Sequence, residues 1–271
     1  MISAPRRRRV LRLLLVLMIA YVAFVAVVWL FADRMIFMPP REGYAHTPEI
    51  LLLPRDSGGT VAAVHLRNPR ARHTILFSHG NAEHIGQDLP FLRAMRDVGF
   101  NVLAYDYSGY GLSTGRPSER AAYADIDAAY HYLTHTAGVP PERIILHGRS
   151  LGGAVSADLA SRRPVGGLVL ESTFTTAGRV ARLPVPFDRF RTIDKLPRVT
   201  APVLVIHGTD DLLVAFSHGE RLYAAVSGPK RRMWVDGAGH NDVAWVAGTP
   251  YWEALRDFSR SLPVDDHKEQ R

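Results

Sequence analysis

Two serines in the chain lie in the pattern Gly-x-Ser-x-Gly, which is typical of a serine nucleophile held in a sharp backbone turn. The first is Ser113, within residues 111–115, and the second is Ser150, within residues 148–152. A serine hydroxyl in such a turn can attack an acyl carbon when a base removes its proton and a carboxylate orients that base. The chemistry to look for is therefore acyl transfer.

The sequence around each serine separates the two motifs. Ser113 follows a glycine-containing loop and leads into Arg116 and Pro117, with no strand pattern beside it. Ser150 directly follows the apolar run 143–147 and directly precedes a helical pattern over 151–163. A strand, a serine and a helix in that order are what a nucleophile turn requires. We predict Ser150 as the nucleophile and a structural role for Ser113.

The best candidate for the base is His240, which lies in the glycine-flanked loop 237–242 between the last strand pattern and the last helix pattern. The carboxylate candidates are Asp210 and Asp211, which follow the strand pattern 202–207, and Glu171, at the end of the preceding strand. The carboxyl ends of parallel strands share one edge of a sheet, so these loops and Ser150 are expected to meet there. We interpret His207 and His147, at strand ends, as structural.

The sequence supports no metal site and no cofactor. His131 and His135 are one helical turn apart, but Tyr132 stands where a zincin has its glutamate. His79 and His84 have one residue too many between them for the inverted zinc motif. The chain contains no cysteine, which excludes disulfides, thiolate metal sites and cysteine nucleophiles.

Short apolar runs alternate with helical patterns along the body of the chain. Such strands, without internal alternation and joined by helices, predict a mostly parallel sheet with helices on both faces. The strands are expected at 60–66, 74–78, 101–105, 143–147, 167–170, 202–207 and 231–235, and the helices at 118–137, 151–163, 217–226 and 242–262. Residues 174–200, which contain three prolines, interrupt the alternation and predict a short cap over the ligand crevice.

The N-terminus predicts a membrane anchor. Residues 13–32 form an uncharged run of 20 residues, which as a helix would span roughly 30 Å, the thickness of a bilayer core. A cleaved signal peptide is the alternative, but its apolar region is shorter and ends in a small-residue cleavage site that is missing here. A buried soluble helix would keep a polar face.

Most of the net positive charge of the chain lies in this N-terminal segment. The net charge is +7, and five arginines precede the first acidic residue. The remaining balance is nearly even, which excludes a nucleic-acid-binding surface, and 47% hydrophobic residues exclude global disorder. The positive-inside rule predicts a cytoplasmic N-terminus and a body on the opposite side of the membrane. The preference for arginine over lysine favours a bacterial source, for which that side is the periplasm.

Together these motifs resemble the α/β-hydrolase superfamily from about Leu51 onwards. More narrowly, they resemble membrane-anchored α/β-hydrolase-domain proteins, which include eukaryotic depalmitoylating thioesterases and bacterial homologues. The strings that carry the resemblance are SHGNAEHIG, YDYSGYGLSTGRPSE, GRSLGG, LVIHGTDDLLV and GAGHND. The cysteine-rich N-terminal segment of the eukaryotic thioesterases is absent, so their substrate class does not carry over directly.

The resemblance implies roles for particular residues. It implies the order Ser150, Asp211, His240 for nucleophile, acid and base, which favours Asp211 over Asp210. It also implies an oxyanion hole formed by the backbone N–H groups of Asn81 and Leu151.

The expected protein is a membrane-anchored serine hydrolase of the esterase, lipase or thioesterase type. It is expected to cleave carboxylic ester or thioester bonds of acyl-chain or small esters through a Ser-His-Asp triad and an acyl-enzyme. A serine aminopeptidase on the same fold and a catalytically silent membrane-tethered binding domain are the alternatives. The expected organisation is a basic cytoplasmic segment at 1–12, the anchor at 13–32, a linker at 33–50, an α/β-hydrolase domain at 51–265 with its cap at 174–200, and a polar tail at 266–271.

Overall fold

A computed structural model describes residues 4–181, 185–186 and 188–263 of the chain. The expected tail at 266–271 and the cap residues Pro184 and Phe187 lie outside the described residues. Helix α1 runs from Ala4 to Ile36, and its stretch Arg8–Ile36 is long and apolar enough to cross a membrane. The helix thus continues beyond the expected anchor into the stretch expected to be a linker.

One sheet of eight strands forms the centre of the described part of the chain, in the order β1-β2-β4-β3-β5-β6-β7-β8. Strand β2 is antiparallel to both of its neighbours, and the other pairs are parallel. The strands are β1 Ile50–Pro54, β2 Thr60–Leu66, β3 Thr74–Ser78, β4 Asn101–Tyr105, β5 Ile144–Arg149, β6 Gly167–Glu171, β7 Val203–Gly208 and β8 Lys230–Val235. The inner strands are buried throughout, as expected for a sheet covered on both faces.

Helices cover both faces of this sheet. One apolar cluster packs α3, α4, α6 and α7 against one face, and a second packs α2 and α9 against the other. The helices are α2 Ile85–Asp97, α3 Glu119–His131, α4 Leu151–Ala160, α5 Ala177–Ala181, α6 Thr192–Lys195, α7 Ser217–Ala225, α8 Val243–Ala247 and α9 Thr249–Arg260. A π-helical turn, Tyr132–Thr136, extends α3, and 3₁₀ turns cover Pro141–Arg143 and Leu196–Arg198. This is the predicted α/β-hydrolase fold.

Outside the cap, three elements differ from the sequence predictions. The single helix expected at 242–262 is two helices, α8 and α9, which are separated at Gly248, where φ is +58°. Helix α2 was not predicted, because Pro90 and several polar residues obscure its apolar face. Strand β1 was not predicted either: its apolar run ends in a proline, which edge strands tolerate.

Candidate active site

Ser150 lies in the sharp turn between β5 and α4, with φ +52° and ψ −113°. The turn requires small neighbours, because a Cβ on Gly148 would lie 2.2 Å from the carbonyl oxygen of Gly152. The Ser150 N–H donates to the Glu171 carbonyl oxygen on the neighbouring strand at 2.8 Å. A positive φ in a non-glycine residue costs on the order of 1–3 kcal/mol, and packing of the strand and helix holds the serine in this conformation.

His240 and Asp211 approach Ser150 from the loops that follow β8 and β7. The Nε2 atom of His240 lies 3.0 Å from the Ser150 Oγ, and its Nδ1 atom lies 2.7 Å from the Asp211 Oδ2. The three side chains therefore form a continuous hydrogen-bonded chain, although they are 29 to 90 residues apart in sequence. This geometry is that of a nucleophile, a base and an orienting acid.

The Asp211 carboxylate is held by further donors. Its Oδ1 atom accepts from the backbone N–H groups of Leu213, at 3.0 Å, and Val214, at 2.7 Å. His207 Nε2 lies 3.3 Å from Asp211 Oδ2 and 2.8 Å from the Val214 carbonyl oxygen. Burial would raise the pKa of Asp211, but the hydrogen bonds from His207 and His240 hold the pKa of this carboxyl well below its usual value. His207 thus has a structural role, as predicted: it helps to hold the Asp211 carboxylate in place.

The two alternative acids lie elsewhere. The Asp210 side chain is exposed and accepts from the neighbouring Thr209 hydroxyl at 3.3 Å. Glu171 is buried, and its Oε2 atom accepts from the Tyr251 hydroxyl at 2.6 Å and lies 2.8 Å from His147 Nε2. Of the three carboxylates, Asp211 is the one that contacts His240.

Ser113, the rival serine, is buried and fully engaged. Its hydroxyl donates to the Asp106 carbonyl oxygen and accepts from the Ala62 N–H, both at 2.8 Å. This places it beside strand β2 rather than in the loops around Ser150.

The loop after β3 contributes Gly80 and Asn81 to the surroundings of Ser150. Within the part of the chain that the structure describes, the backbone N–H groups of Asn81 and Leu151 have no protein acceptor, and both residues line the same pocket as Ser150. The Asn81 side chain binds the end of α1 and the turn after it. It donates to the Ile36 carbonyl oxygen and accepts from the Met38 N–H at 3.1 Å. Tyr110 also donates its hydroxyl to the Asn81 Oδ1 at 2.6 Å.

An ion pair that the sequence analysis missed ties this loop to the serine turn. Arg149, the residue before Ser150, lies 2.6 Å from the Glu83 carboxylate and 2.8 Å from that of Asp88. Glu83 in turn accepts from the Gly80 N–H at 2.7 Å. The pair joins the strings GRSLGG and SHGNAEHIG, which lie far apart in sequence, so only the fold reveals it.

A pocket of about 510 Å³ opens at Ser150. Its walls come from the loops after β3, β5, β7 and β8, from α5, and from the end of α1. The sequence does not predict this contribution of α1, because the predicted anchor and the predicted catalytic residues lie in separate segments of the chain. The lining residues from α1 and the turn after it are Met35, Ile36 and Met38.

The histidine pairs considered for metal binding are engaged otherwise. The rings of His131 and His135 stack at 4.2 Å on one helix face, and the His84 side chain caps the start of α2. His79 Nε2 lies 3.5 Å from an Asp106 carboxylate oxygen, and Asp106 counters the effect of burial and raises the pKa of this histidine. No group of three or more potential metal ligands occurs among residues 4–181, 185–186 and 188–263.

Solved structures with a similar fold include several esterases. An esterase from Pyrococcus furiosus superposes with a TM-score of 0.71 at 20% identity, over 83% of this chain and 98% of that chain. An esterase from Rhodococcus superposes with a TM-score of 0.62 at 22% identity, over 79% of this chain and 100% of that chain. At these identities the similarity establishes the α/β-hydrolase fold.

Sequence similarity identifies the family. Residues 69–190 match the family model described as serine aminopeptidase, S33. The human alpha/beta hydrolase domain-containing protein 17B is 41% identical over 216 residues, which are 78% of this chain and 74% of that protein. The chain therefore belongs to the α/β-hydrolase superfamily. The Xenopus tropicalis alpha/beta hydrolase domain-containing protein 17C is 46% identical over 202 residues, 72% of this chain, and the chain spans 64% of its length. Both relatives are vertebrate proteins, so they give no support to a bacterial source.

Proposed function

We propose that this protein is a membrane-anchored serine hydrolase that cleaves carboxylic ester or thioester bonds. The observation that carries the proposal is the pair of contacts of His240, at 3.0 Å to the Ser150 hydroxyl and 2.7 Å to the Asp211 carboxylate. Ser150 and His240 line a pocket of about 510 Å³, which is large enough for an acyl group. The class of the relatives agrees with this activity.

The reaction begins with proton transfer. His240 Nε2 takes the proton of the Ser150 hydroxyl as its oxygen attacks the carbonyl carbon of the substrate. Asp211 keeps the Nδ1–H of the imidazole fixed and stabilises the imidazolium that forms. Because the pKa of Asp211 is held low, this carboxylate stays charged throughout the neutral range. The imidazolium then gives its proton to the leaving alcohol or thiol as the acyl–oxygen or acyl–sulfur bond breaks.

Water completes the cycle. His240 takes a proton from a water molecule, whose oxygen attacks the acyl-Ser150 carbonyl carbon, and the Ser150 oxygen leaves and recovers its proton from the imidazolium. In both steps the Asn81 and Leu151 N–H groups donate to the oxyanion. Each such donor contributes roughly 2.7–4 kcal/mol to transition-state stabilisation in well-studied cases.

The anchor belongs to the proposal as well. The 29 residues Arg8–Ile36 form a helix long enough to span a bilayer, and five arginines lie near its start. The positive-inside rule then keeps the N-terminus in the cytoplasm and puts the catalytic domain on the other side of the membrane. An alkaline phosphatase fused after Arg271 should be active, and a reporter that needs the cytoplasm should be inactive there. The reverse pattern would contradict this orientation.

A serine aminopeptidase is the second candidate, because the matching family model carries that description. This activity needs a free acidic group near Ser150 to bind the substrate ammonium. Glu83 lines the pocket, but it is paired with Arg149 and accepts from Gly80. We therefore expect the ester activity to exceed the aminopeptidase activity.

The test is activity profiling of the full chain with a fluorophosphonate probe, followed by comparison of p-nitrophenyl esters with aminoacyl p-nitroanilides. Wild type and Ser113→Ala should be labelled and should hydrolyse the esters, whereas Ser150→Ala should do neither. Labelling that survives in Ser150→Ala would refute the proposal. Faster cleavage of the anilides than of the esters would favour the peptidase, and a wild type inert to the probe would favour a silent binding domain.

A further inference from the structure

One face of the final turns of α1 packs against the domain. Val28 and Ala32 are each only 6% exposed, whereas large apolar side chains earlier in the helix are mostly exposed, for example Val27 at 54%. Spacings of four residues put Val28, Ala32 and Ile36 on one side of a helix. This side therefore contacts protein, while the rest of α1 is free to contact lipid.

A narrow apolar cleft of about 110 Å³ lies between this side of α1 and the cap helix α5. Small side chains keep it open, because Ala32 faces it from α1, and Ala177 and Gly178 face it from α5. The cleft adjoins the larger pocket at Ser150. Four lining residues are common to both, namely Met35, Ile36, Ala177 and Ala181.

The charged residues at the cleft are already paired. Asp188 accepts from the N–H groups of Gly178, at 2.6 Å, and Arg189, at 2.8 Å. The Arg189 guanidinium lies 3.8 Å from the Glu119 carboxylate. Among the described residues that line the cleft, the two charged ones thus have partners and the others are apolar, which suits a hydrocarbon chain.

The cleft reaches the depth of the bilayer core. Val28 lies four residues inside the end of the uncharged run 13–32, which corresponds to roughly 6 Å along a helix. From Val28 to Ile36 the helix advances roughly 12 Å and ends at the pocket of Ser150. One end of the space thus lies at the depth of lipid tails, and the other lies at the proposed nucleophile.

Two exposed leucines at the pocket also favour contact with a membrane. Leu213 lines the pocket and is 62% exposed, and its neighbour Leu212 is 99% exposed. Adjacent apolar side chains this exposed are costly in water and favourable at a membrane surface. The mouth of the pocket therefore carries the side chains of a membrane-contacting surface.

We propose that the cleft and the pocket together form an acyl channel, which accepts the chain of a long-chain acyl ester or thioester directly from the bilayer. The channel rests on the proposed hydrolase function, whose substrate class it narrows to membrane-resident acyl compounds. The acyl chain lies along α1 between Val28 and Ile36, and the carbonyl carbon lies at Ser150. The anchor is then one wall of the substrate site.

The first test compares two p-nitrophenyl esters, butanoate and dodecanoate, with the full chain reconstituted in phosphatidylcholine vesicles. Each methylene buried in the channel should raise kcat/KM by about fourfold, up to the length that the channel accommodates. Ala32→Trp fills the cleft and should lower the ratio of kcat/KM on dodecanoate to that on butanoate at least tenfold. Ala26→Trp is the matched control, because Ala26 is an exposed residue of the same helix, and it should keep the wild-type ratio.

The opposite wall provides a second variant. Ala181 is exposed at the end of α5, so Ala181→Trp should fold normally and narrow the cleft from that side. It should lower the same ratio. An unchanged ratio in both Ala32→Trp and Ala181→Trp, or an equal fall with Ala26→Trp, would overturn the channel. Hydrolysis of butanoate by wild type, and its loss in Ser150→Ala, decide the proposed function separately.

The second test needs no turnover. A diazirine-bearing hexadecanoic acid in the vesicles should crosslink to α5 in the Ser150→Ala protein, as located by peptide mass spectrometry. Adding Ala32→Trp should remove the α5 crosslink, and adding Ala26→Trp should leave it. A crosslink to α5 that Ala32→Trp does not reduce, or no crosslink there at all, would contradict the proposal.

Discussion

The two Gly-x-Ser-x-Gly segments share a pattern but occupy opposite kinds of environment. Ser150 stands in a turn with positive φ, and its hydroxyl contacts His240 at the mouth of a pocket. Ser113 is buried, and its hydroxyl connects the Asp106 carbonyl oxygen to the Ala62 N–H. The Ser150 hydroxyl can transfer its proton to His240, whereas the Ser113 hydroxyl is hydrogen-bonded to two backbone groups.

The difference comes from what surrounds each pentapeptide. Strand β5 and helix α4 force the backbone at Ser150 to turn outwards at the carboxyl edge of the sheet. The other segment instead lies along β2, where Thr114 donates its N–H to the Thr60 carbonyl oxygen at 3.0 Å. A five-residue motif therefore has chemical meaning only in its context of secondary structure.

Removal of the two hydroxyls should give the largest contrast in activity. Ser150→Ala should lower kcat on a short-chain ester by about 10⁵–10⁶-fold, by analogy with a well-studied serine protease. Ser113→Ala should remain within a fewfold of wild type, because its hydroxyl contacts no reacting group. Steady-state hydrolysis and fluorophosphonate labelling measure both. Loss of activity in folded Ser113→Ala but not in Ser150→Ala would reverse the comparison.

The next contrast concerns the two adjacent aspartates in the loop near Ser150. Asp211→Asn should lower kcat by roughly 10²–10⁴-fold with little change in KM, because His240 loses the carboxylate that fixes its tautomer. Asp210→Asn is the matched control and should stay within about tenfold, a loss below ~1.4 kcal/mol. Both variants should first show the near-UV circular dichroism of wild type. If Asp210→Asn lost activity to this extent instead, Asp210 would be the orienting acid.

For the free energy of unfolding, Ser113→Ala should have the larger effect and Ser150→Ala the smaller one. Ser113→Ala leaves the buried Ala62 N–H without its acceptor, which should lower the free energy of unfolding by about 1–3 kcal/mol. Ser150→Ala removes a partly exposed hydroxyl and should cost less than about 1 kcal/mol. Urea unfolding in a fixed detergent measures both. Equal losses would show that the hydroxyl of Ser113 is not structural.

The smallest expected effects are pH dependences of opposite sign. The pKa of Asp211 is lowered in the fold, so its charge stabilises the protein above the unfolded value near 4, and this contribution is lost as the pH falls further. Burial raises the pKa of Asp125 to about 6, although the Ser108 N–H and the Arg55 guanidinium donate to it. Its ionisation therefore costs stability as the pH rises from 4 to 6.

Unfolding of wild type, Asp211→Asn and Asp125→Asn at pH 7, 5 and 3 separates the two carboxylates. The advantage of wild type over Asp211→Asn should be constant from pH 7 to 5 and smaller at pH 3. Relative to Asp125→Asn, wild type should lose stability between pH 3 and 7. The same sign for both aspartates would contradict the assigned environments.

The sequence predicts the features that depend on local patterns. The inner strands, the turn at Ser150 and the glycine-flanked loop of His240 are readable because each is coded within about ten residues. The choice between Asp210 and Asp211 needed a family resemblance, because adjacent loop residues have the same local pattern. In the structure it is Asp211 that contacts His240.

Features that depend on distant contacts could not be read in this way. The pairing of Arg149 with Glu83 joins two loops 66 residues apart, and nothing in either string specifies the partner. Likewise, the hydropathy of α1 does not indicate that Val28 and Ala32 are buried or that they line a cleft with α5.

The Asn81 side chain connects the end of α1 to the loop that follows β3. It donates to the carbonyl oxygen of Ile36 and accepts from the N–H of Met38, so it joins the end of α1 to a loop that lines the same pocket as Ser150. A protease that cut the chain just after Ile36 would separate the Ile36 carbonyl from the loop of Asn81, whose backbone N–H is the proposed oxyanion donor. Under the proposed mechanism, we therefore expect the released domain to be less active than the full chain.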